Sequence, residues 1–453
     1  MEQVTGTIAR FVCDTEYAGI SHEAIEAAKL HILDTLGVLM AGSRERIAGI
    51  VGKYIQSLGC KEESTLITRG VRTSGQYAAF GNGVMAHVLD YDDYEWPSMA
   101  HSSVTALPPV LALGEKLQKS GKECLTAYLV GMEVISRVGK GIHPSHYNKG
   151  WHSTCTLGTL GAASASSRVL GLDPEKIAVA LGIAASMSSG LRGNFGTMTK
   201  AFHAGHASKN GIESAILASL GLSASKTILE GDLGFCRIFT EGDRYDLQEI
   251  TTGLGSPFSI VSPGIGKKLY PSCAATHSFL DGIFHLIQQF DIQANDVDSV
   301  ECGIFYLLPK MLIHSNPQTG LEGKFSLEFC IALALQERSA TLSQFADSKV
   351  RDPHIQNLMK KIKKSVTEEA GGEGTEYPDA IIKVKMRDGK SYSYKGGTRK
   401  GSPATPLTTD EVVNKFFDCA QLAYPREKVS QILEMIMRIE KIDDISELVL
   451  LIR

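Results

Sequence analysis

The sequence predicts a mainly α protein, with a large all-helical domain and a smaller α+β lid domain. Three observations carry that prediction. Apolar residues recur at about 3.6-residue spacing through most of the first 250 positions. Small residues crowd the same segments, as in GTLGAASASS and HAGHASKNGIESAILASLG, so helix backbones are expected to approach closely in a buried bundle. After Ser262-Pro263-Gly264 the texture changes to β-branched and aromatic runs with a hairpin signal.

Taken in order, the span from Ser21 to Gly42 places Ile25, Ala28, Ile32 and Leu36 on one face, with Ser21 placed to cap and Gly42 to stop the helix. Further helices are expected over Ser74–Leu89, Ser103–Leu117, Cys124–Val138, Thr154–Leu170 and Pro174–Met187. In the last of these, Asp173 caps and Pro174 takes the first helical position. On this reading the first 250 residues are all-helical. Val297–Tyr306 and Ala380–Tyr394 read as strands, and Asp388-Gly389 supplies a turn within the second. Thr408–Leu422, with Val412, Val413, Phe416 and Phe417 on a buried face, and Glu427–Met437 are helical and are expected to return to the first domain. A chain of 453 residues exceeds what one core usually holds. The expected division is therefore a helical domain of residues 1–264 and 404–453, and a lid of residues 265–403.

Bulk composition narrows the function classes. Apolar residues at 43% and charged residues at 21% are ordinary for a globular enzyme. A net charge of −4, with Lys and Arg scattered, gives no basic stripe, so no nucleic-acid partner is expected. The N-terminal residues lack a basic start followed by an apolar run, and the apolar runs fall short of the ~20 residues that span a bilayer. A cytoplasmic location without membrane contact is the expectation. Nine dispersed cysteines form no CxxC pair and read as reduced thiols.

Four clusters gather titratable residues beside small ones. The first runs His87-Val-Leu-Asp90-Tyr-Asp92-Asp93-Tyr94-Glu95-Trp96 and on to His101, where a helix should end. Asp90 and Asp93 are expected on one helix face, and a carboxylate beside a histidine can orient it as a general base. A solvated acidic helix end is the plain alternative. The run is also similar to the magnesium–diphosphate motif of isoprenoid synthases, but Trp96 stands where an acid is needed and no second acidic motif follows.

The second cluster is Trp151-His152-Ser153-Thr154-Cys155, at a helix start whose unpaired N–H groups would keep His152 neutral and can hold a carboxylate. Packing of His152 on Trp151 is the structural alternative. The third, Arg192 to His206, is a glycine-rich loop running into a helix, where Lys200, His203 and His206 are expected near one another. Lys200 there suits a carboxylate or a developing enolate; a Schiff base with pyridoxal phosphate is disfavoured by the helical context. The fourth, Lys267-Lys268 to His277, places Cys273 and His277 one turn apart, a spacing that would let zinc bind with His152 and Cys155, although nothing in the sequence requires a metal.

At these residues the chain resembles the MmgE/PrpD family, which includes 2-methylcitrate dehydratases, cis-aconitate decarboxylases and iminodisuccinate epimerase. The resemblance runs over nearly the whole chain. Besides the clusters it is carried by HILDTLGVLMAGS, AAFGNGVMAHVLDYDD, GLDPEKIAVALGIAAS, AFHAGHASKNGIESAILASLGL, KLYPSCAATH, GKFSLEFCIALAL and GSPATPLT. It implies a helical domain built from both chain ends, a lid from the middle, a homodimer, and a cleft between the domains. By motif position it places the active site at Asp90, His101, His152 and Lys200, with Lys268 and Cys273 at the lid edge. The chain departs from the decarboxylase pattern at Tyr94, where a threonine is expected, and at Cys273, where a histidine is expected. Both departures argue against decarboxylation of cis-aconitate.

The combined expectation is a cofactor-independent lyase, similar to 2-methylcitrate dehydratase, acting on a small di- or tricarboxylate. Lys200 and Lys268 would hold carboxylates while His152 or His101, oriented by Asp90, removes an α-proton, and Tyr94 or Cys273 would be the second acid. Epimerisation of a dicarboxylate through the same intermediate is the alternative, and a non-catalytic dimeric binding protein is another. No metal or cofactor is expected.

Overall fold

The architecture is that of a computed structural model, which describes residues 3–372, 375 and 378–453. The helices begin where short polar side chains can cap them. Ser21 Oγ accepts from the Ala24 N–H at 3.2 Å and opens the helix His22–Gly42. Asp173 accepts from the Lys176 N–H at 2.9 Å and opens Pro174–Met187. Ser103–Leu117 has the bounds expected from its pattern, and Gly75–His87, Gly121–Ile142 and Ser153–Leu170 differ from the expected spans by a few residues at their ends.

One segment of the first 250 residues departs from the all-helical expectation. β1 (Ser64–Leu66) pairs antiparallel with β2 (Val71–Thr73). The buried Glu115 carboxylate holds this hairpin, accepting from the Thr65 N–H and hydroxyl at 2.7 Å each and from Arg72 at 2.6 Å. That partner lies 50 residues away, outside the reach of any local pattern.

The small residues let the bundle close. Gly205 on the helix Met198–Ser219 lies against the Phe80 carbonyl, and Gly211 on the same helix lies against the backbone of Ala162; a methyl group at either place would meet main chain. Dense packing of this kind leaves no room for a larger side chain.

Buried apolar side chains gather into two clusters. One draws on residues from Val4 to Ile265 and again from Leu407 to Ile452. The other draws on Cys273 to Met386, together with Tyr147 and Phe195. The helix Thr409–Ala420, opened by a Thr408/Glu411 capping box, packs on His22–Gly42. There the Lys415 ammonium sits 2.8 Å from Asp34 Oδ1 and donates to the carbonyls of Tyr91 and Lys268 at 2.6 and 2.8 Å. One C-terminal side chain thereby ties together the first long helix, the Asp-rich loop and the start of the second cluster.

The second cluster is built on a four-stranded sheet of order β4-β3-β5-β6, with β3 (Val297–Ile304), β4 (Ile362–Val366), β5 (Ala380–Met386) and β6 (Ser391–Gly396). β3 runs parallel to β4 and antiparallel to β5, and Asp388-Gly389 turns β5 into β6. Alternate residues Ala380, Ile382, Val384 and Met386 are buried, the period-two pattern of a sheet covered on one face. The helices His277–Phe290 and Leu327–Glu337 pack on it. Among the described residues no helix is long and apolar enough to cross a membrane, and all nine cysteines are free thiols.

Candidate active site

The helix Gly75–His87 stops at the Asp-rich run because Asp90 adopts a left-handed backbone, φ +51°. Aspartate tolerates that conformation better than most residues. Asp90 and Asp93 therefore do not share a helix face, as their spacing suggested. The turn instead sends the three carboxylates in different directions.

Asp90 Oδ1 lies 2.8 Å from Lys200 Nζ and 3.0 Å from Lys268 Nζ, which also donates to the Asp90 carbonyl at 2.9 Å. Burial alone would raise the Asp90 carboxyl, but Lys200 and then Lys268 outweigh it and hold the group well below the usual carboxylate range. Asp92 Oδ2 lies 2.9 Å from His87 Nδ1 and 3.1 Å from His101 Nδ1. Asp93 turns the other way, 3.0 Å from His31 Nδ1 and bonded to the Ser103 hydroxyl.

These contacts assign the ring protons. His87 donates Nδ1–H to Asp92, so its Nε2 accepts from Lys200 at 2.7 Å. The ammonium is held from two sides, by an imidazole and by a carboxylate. His101 Nδ1 faces the Asp93 carbonyl at 2.7 Å as well as Asp92, both acceptors, so in the neutral ring Nε2 is the bare nitrogen. The orienting carboxylate for His101 is thus Asp92; Asp90, expected in that role, lies 4.0 Å from Nε2 and serves the lysines.

His152 is the N-cap residue of Ser153–Leu170, as its position suggested, and is 1% exposed. Its pKa lies well below the ordinary imidazole value, chiefly through burial and next through Lys200, the direction anticipated for a histidine at a helix start. His152 Nδ1 lies 2.9 Å from His203 Nδ1, while among the described residues its Nε2 finds no protein partner, nor does Asp90 Oδ2. Buried polar atoms left open in this way are suited to a ligand. His203 thus pairs with His152 and feels the Lys200 charge, while His206 lies 2.9 Å from Asn210 Nδ2.

Asp90, Tyr94, His101, His152, Lys200 and Cys273 line one cavity. Lys268 does not line it; fully buried behind Asp90, it is placed to fix that carboxylate rather than to touch a substrate. Burial, and next Asp90, push the Cys273 thiol up, which disfavours a thiolate. The cavity has one further cation that the sequence did not single out. Arg399 is 3% exposed and donates from Nε to the Tyr94 hydroxyl at 2.9 Å, with its guanidinium 4.9 Å from the Tyr94 ring centroid. Its place two residues before GSPATPLT was the only available signal. Tyr94 itself is braced by paired backbone bonds to Gly266, 2.9 Å each way, and a Cβ on Gly266 would fall 2.6 Å from the Tyr94 ring. Glu95 also lines the cavity, its carboxyl raised to about 7 by burial against an opposing bond from Ser102.

Among the described residues, His87, Asp90, Asp92 and His101 bring potential metal-ligand atoms within 4.8 Å of one another. The donor set does not suit a cation. Two ammonium groups already contact Asp90, and both ring nitrogens of His87 are engaged. Of the zinc set suggested by spacing, Cys155 Sγ lies 3.8 Å from the Ser189 hydroxyl and His277 Nε2 3.3 Å from the Ser272 carbonyl.

A pH prediction follows from the buried imidazoles. Burial holds His31 to about 4, and His87 and His146 to about 3, so they stay neutral in the folded chain. The unfolded chain protonates them near 6.5. From there down to about pH 4 the unfolded state binds more protons, so stability falls as pH falls, by up to about 1.4 kcal/mol per pH unit per histidine. The urea midpoint is expected to drop steeply between pH 7 and 5; a flat profile would contradict neutral buried histidines.

Two family models match the chain. The MmgE/PrpD N-terminal domain covers residues 6–248 and the MmgE/PrpD C-terminal domain covers residues 270–441. The chain belongs to the MmgE/PrpD family. Among its relatives in that family, the cis-aconitate decarboxylase of Aspergillus terreus is 27% identical, over 98% of this chain and 95% of that protein. The Mus musculus cis-aconitate decarboxylase is 28% identical, over 100% and 94%, and the Homo sapiens one 26% identical, over 100% and 95%. The chain thus aligns with 94–95% of the length of these three decarboxylases.

Proposed function

We propose that this MmgE/PrpD protein is a cofactor-independent lyase that removes a proton α to a carboxylate of a small di- or tricarboxylate and expels a β-hydroxyl as water, as a 2-methylcitrate dehydratase would. The observation that carries the reading is a cavity in which Lys200 and Arg399 stand beside two histidines, each with a ring nitrogen free to accept a proton. Membership of a family whose relatives are named as decarboxylases supports lyase chemistry.

The roles follow from the contacts. Arg399 offers a rigid fork for one carboxylate. Lys200, held by His87 and Asp90, faces the carboxylate next to the reacting carbon. His101 Nε2, with Asp92 behind its other nitrogen, takes the carbon-bound proton, and the electron pair moves into that carboxylate, where Lys200 meets the added charge. Return of the pair forms the double bond and breaks the C–O bond. Tyr94, accepting from Arg399, keeps its own O–H to protonate the departing hydroxide; the proton on His101 balances the phenolate left behind. Epimerisation is the second reading, favoured by the open Nε2 of His152 as a second proton carrier in the same cavity. The departures at Tyr94 and Cys273 keep decarboxylation of cis-aconitate outside the proposal. A lid of residues 265–403 over a helical domain of residues 1–264 and 404–453, a homodimer and a cytoplasmic location belong to the same proposal.

Proton NMR in D₂O, with citrate-like, malate-like and amino-dicarboxylate substrates and cis-aconitate, tests it. A new alkene establishes the dehydratase; α-proton exchange with inversion establishes the epimerase; carbon dioxide loss or silence sinks both. Within the active series, Arg399→Lys is expected to raise KM for the dicarboxylate about tenfold or more while changing kcat little, because a lysine cannot reproduce the bidentate contact. An unchanged KM would remove Arg399 from substrate binding.

A further inference from the structure

We propose that His203 is the proton exit of His152, a positioning residue that leaves His152 Nε2 bare toward the substrate and then carries the abstracted proton away. The inference rests on the second reading above, in which His152 is a proton carrier, and adds a residue to it. The Nδ1 atoms of the two rings face each other at 2.9 Å, and His152 Nε2 is buried without a partner on the cavity-lining residue. Two facing Nδ1 atoms at that distance share one proton. If His152 carries it, Nε2 is free to accept.

The surroundings build this pair rather than merely permit it. The His152 N–H donates to the Gly190 carbonyl at 3.0 Å. Gly190 has φ +106°, and a Cβ there would fall 2.6 Å from Cys155 Cβ and 3.5 Å from His203 Cγ. The glycine therefore presses the His152 end of one helix against His203 on Met198–Ser219. His203 is 4% exposed, but its Nε2, unlike that of His152, is not among the sealed partnerless atoms of the described residues, so the outer end of the path is that nitrogen. Burial first, and Lys200 next, push both imidazolia down, His203 to about 4, so the pair rests neutral between turnovers.

The proton count balances. His152 Nε2 takes the substrate proton, its Nδ1 proton passes to His203 Nδ1, and His203 releases its Nε2 proton to water. Both rings are again neutral with their tautomers reversed, and His152 now presents Nε2–H. When that proton is given to the carbanion or the leaving group, His203 returns its Nδ1 proton and regains one from water at Nε2.

The test combines turnover with a tautomer measurement on the full-length protein. Nitrogen-15 NMR of histidine-labelled wild type is expected to show His152 protonated at Nδ1 and bare at Nε2; an Nε2–H resting form overturns the proposal, whatever the substrate. With a substrate whose α-proton exchanges with inversion in the D₂O panel, H203A is expected to lower kcat at least tenfold with KM within twofold, and imidazole in the buffer to restore most of it. H203Q, which fills the space but cannot shuttle, is expected to show the same kcat loss. Wild-type kcat in H203Q, a loss confined to KM, or no rescue by imidazole would each overturn it. A wild type silent on the whole panel fails the proton-abstraction reading instead, and the tautomer result then stands by itself.

Discussion

Lys200→Met is expected to lower kcat about a thousandfold, the upper range for removing one donor that meets developing charge. The ammonium is buried in the cavity with His87 Nε2 at 2.7 Å and Asp90 Oδ1 at 2.8 Å, so its position is set before any substrate arrives. Methionine keeps the unbranched apolar stem and removes the ammonium, with its bonds to His87 and Asp90. Asp90 keeps Lys268 at 3.0 Å, and the fold is expected to survive, checked by circular dichroism. Steady-state kinetics on whichever substrate the D₂O panel identifies is the measurement. A loss of less than tenfold would mean that another cation carries the charge, and Arg399 would take its place in the mechanism.

His101→Asn is the second large effect, expected to cut both kcat and α-proton exchange between a hundredfold and ten-thousandfold, the usual range for a general base. Asn replaces the ring without adding charge beside Asp92. Asp92→Asn should cost less in rate yet shift the balance of the two nitrogens, since the amide can present a donor to Nδ1 where the carboxylate only accepts. The comparison separates the two histidines. If His101→Asn exchanges protons at the wild-type rate while His152→Asn does not, the base is His152 and His101 is left to orient the substrate.

How much of this was readable in advance depends on the range of the interaction. Helix positions were legible because caps and apolar periodicity act within a few residues: Ser21, Asp173 and Thr408 each bond three residues ahead. The β5–β6 hairpin was legible from Asp388-Gly389 for the same reason. The hairpin of β1 and β2 was not, because its support is a glutamate on a later helix.

The site shows the same division. The composition of His87 to His101 marked a concentration of chemistry, and local pattern was enough to place His152 at a helix start and Lys200 where a glycine-rich loop runs into a helix. The assignment of partners was another matter. Asp90 turns left-handed and meets Lys268 from 178 residues away; Tyr94 meets Arg399 from 305 residues away; His152 meets His203 across two packed helices. Those choices decide which carboxylate orients a base, which lysine faces the cavity and which stands behind it. They are set by the direction in which folded elements present their side chains. That direction is a property of packing, whereas caps, turns and apolar faces are properties of neighbouring residues.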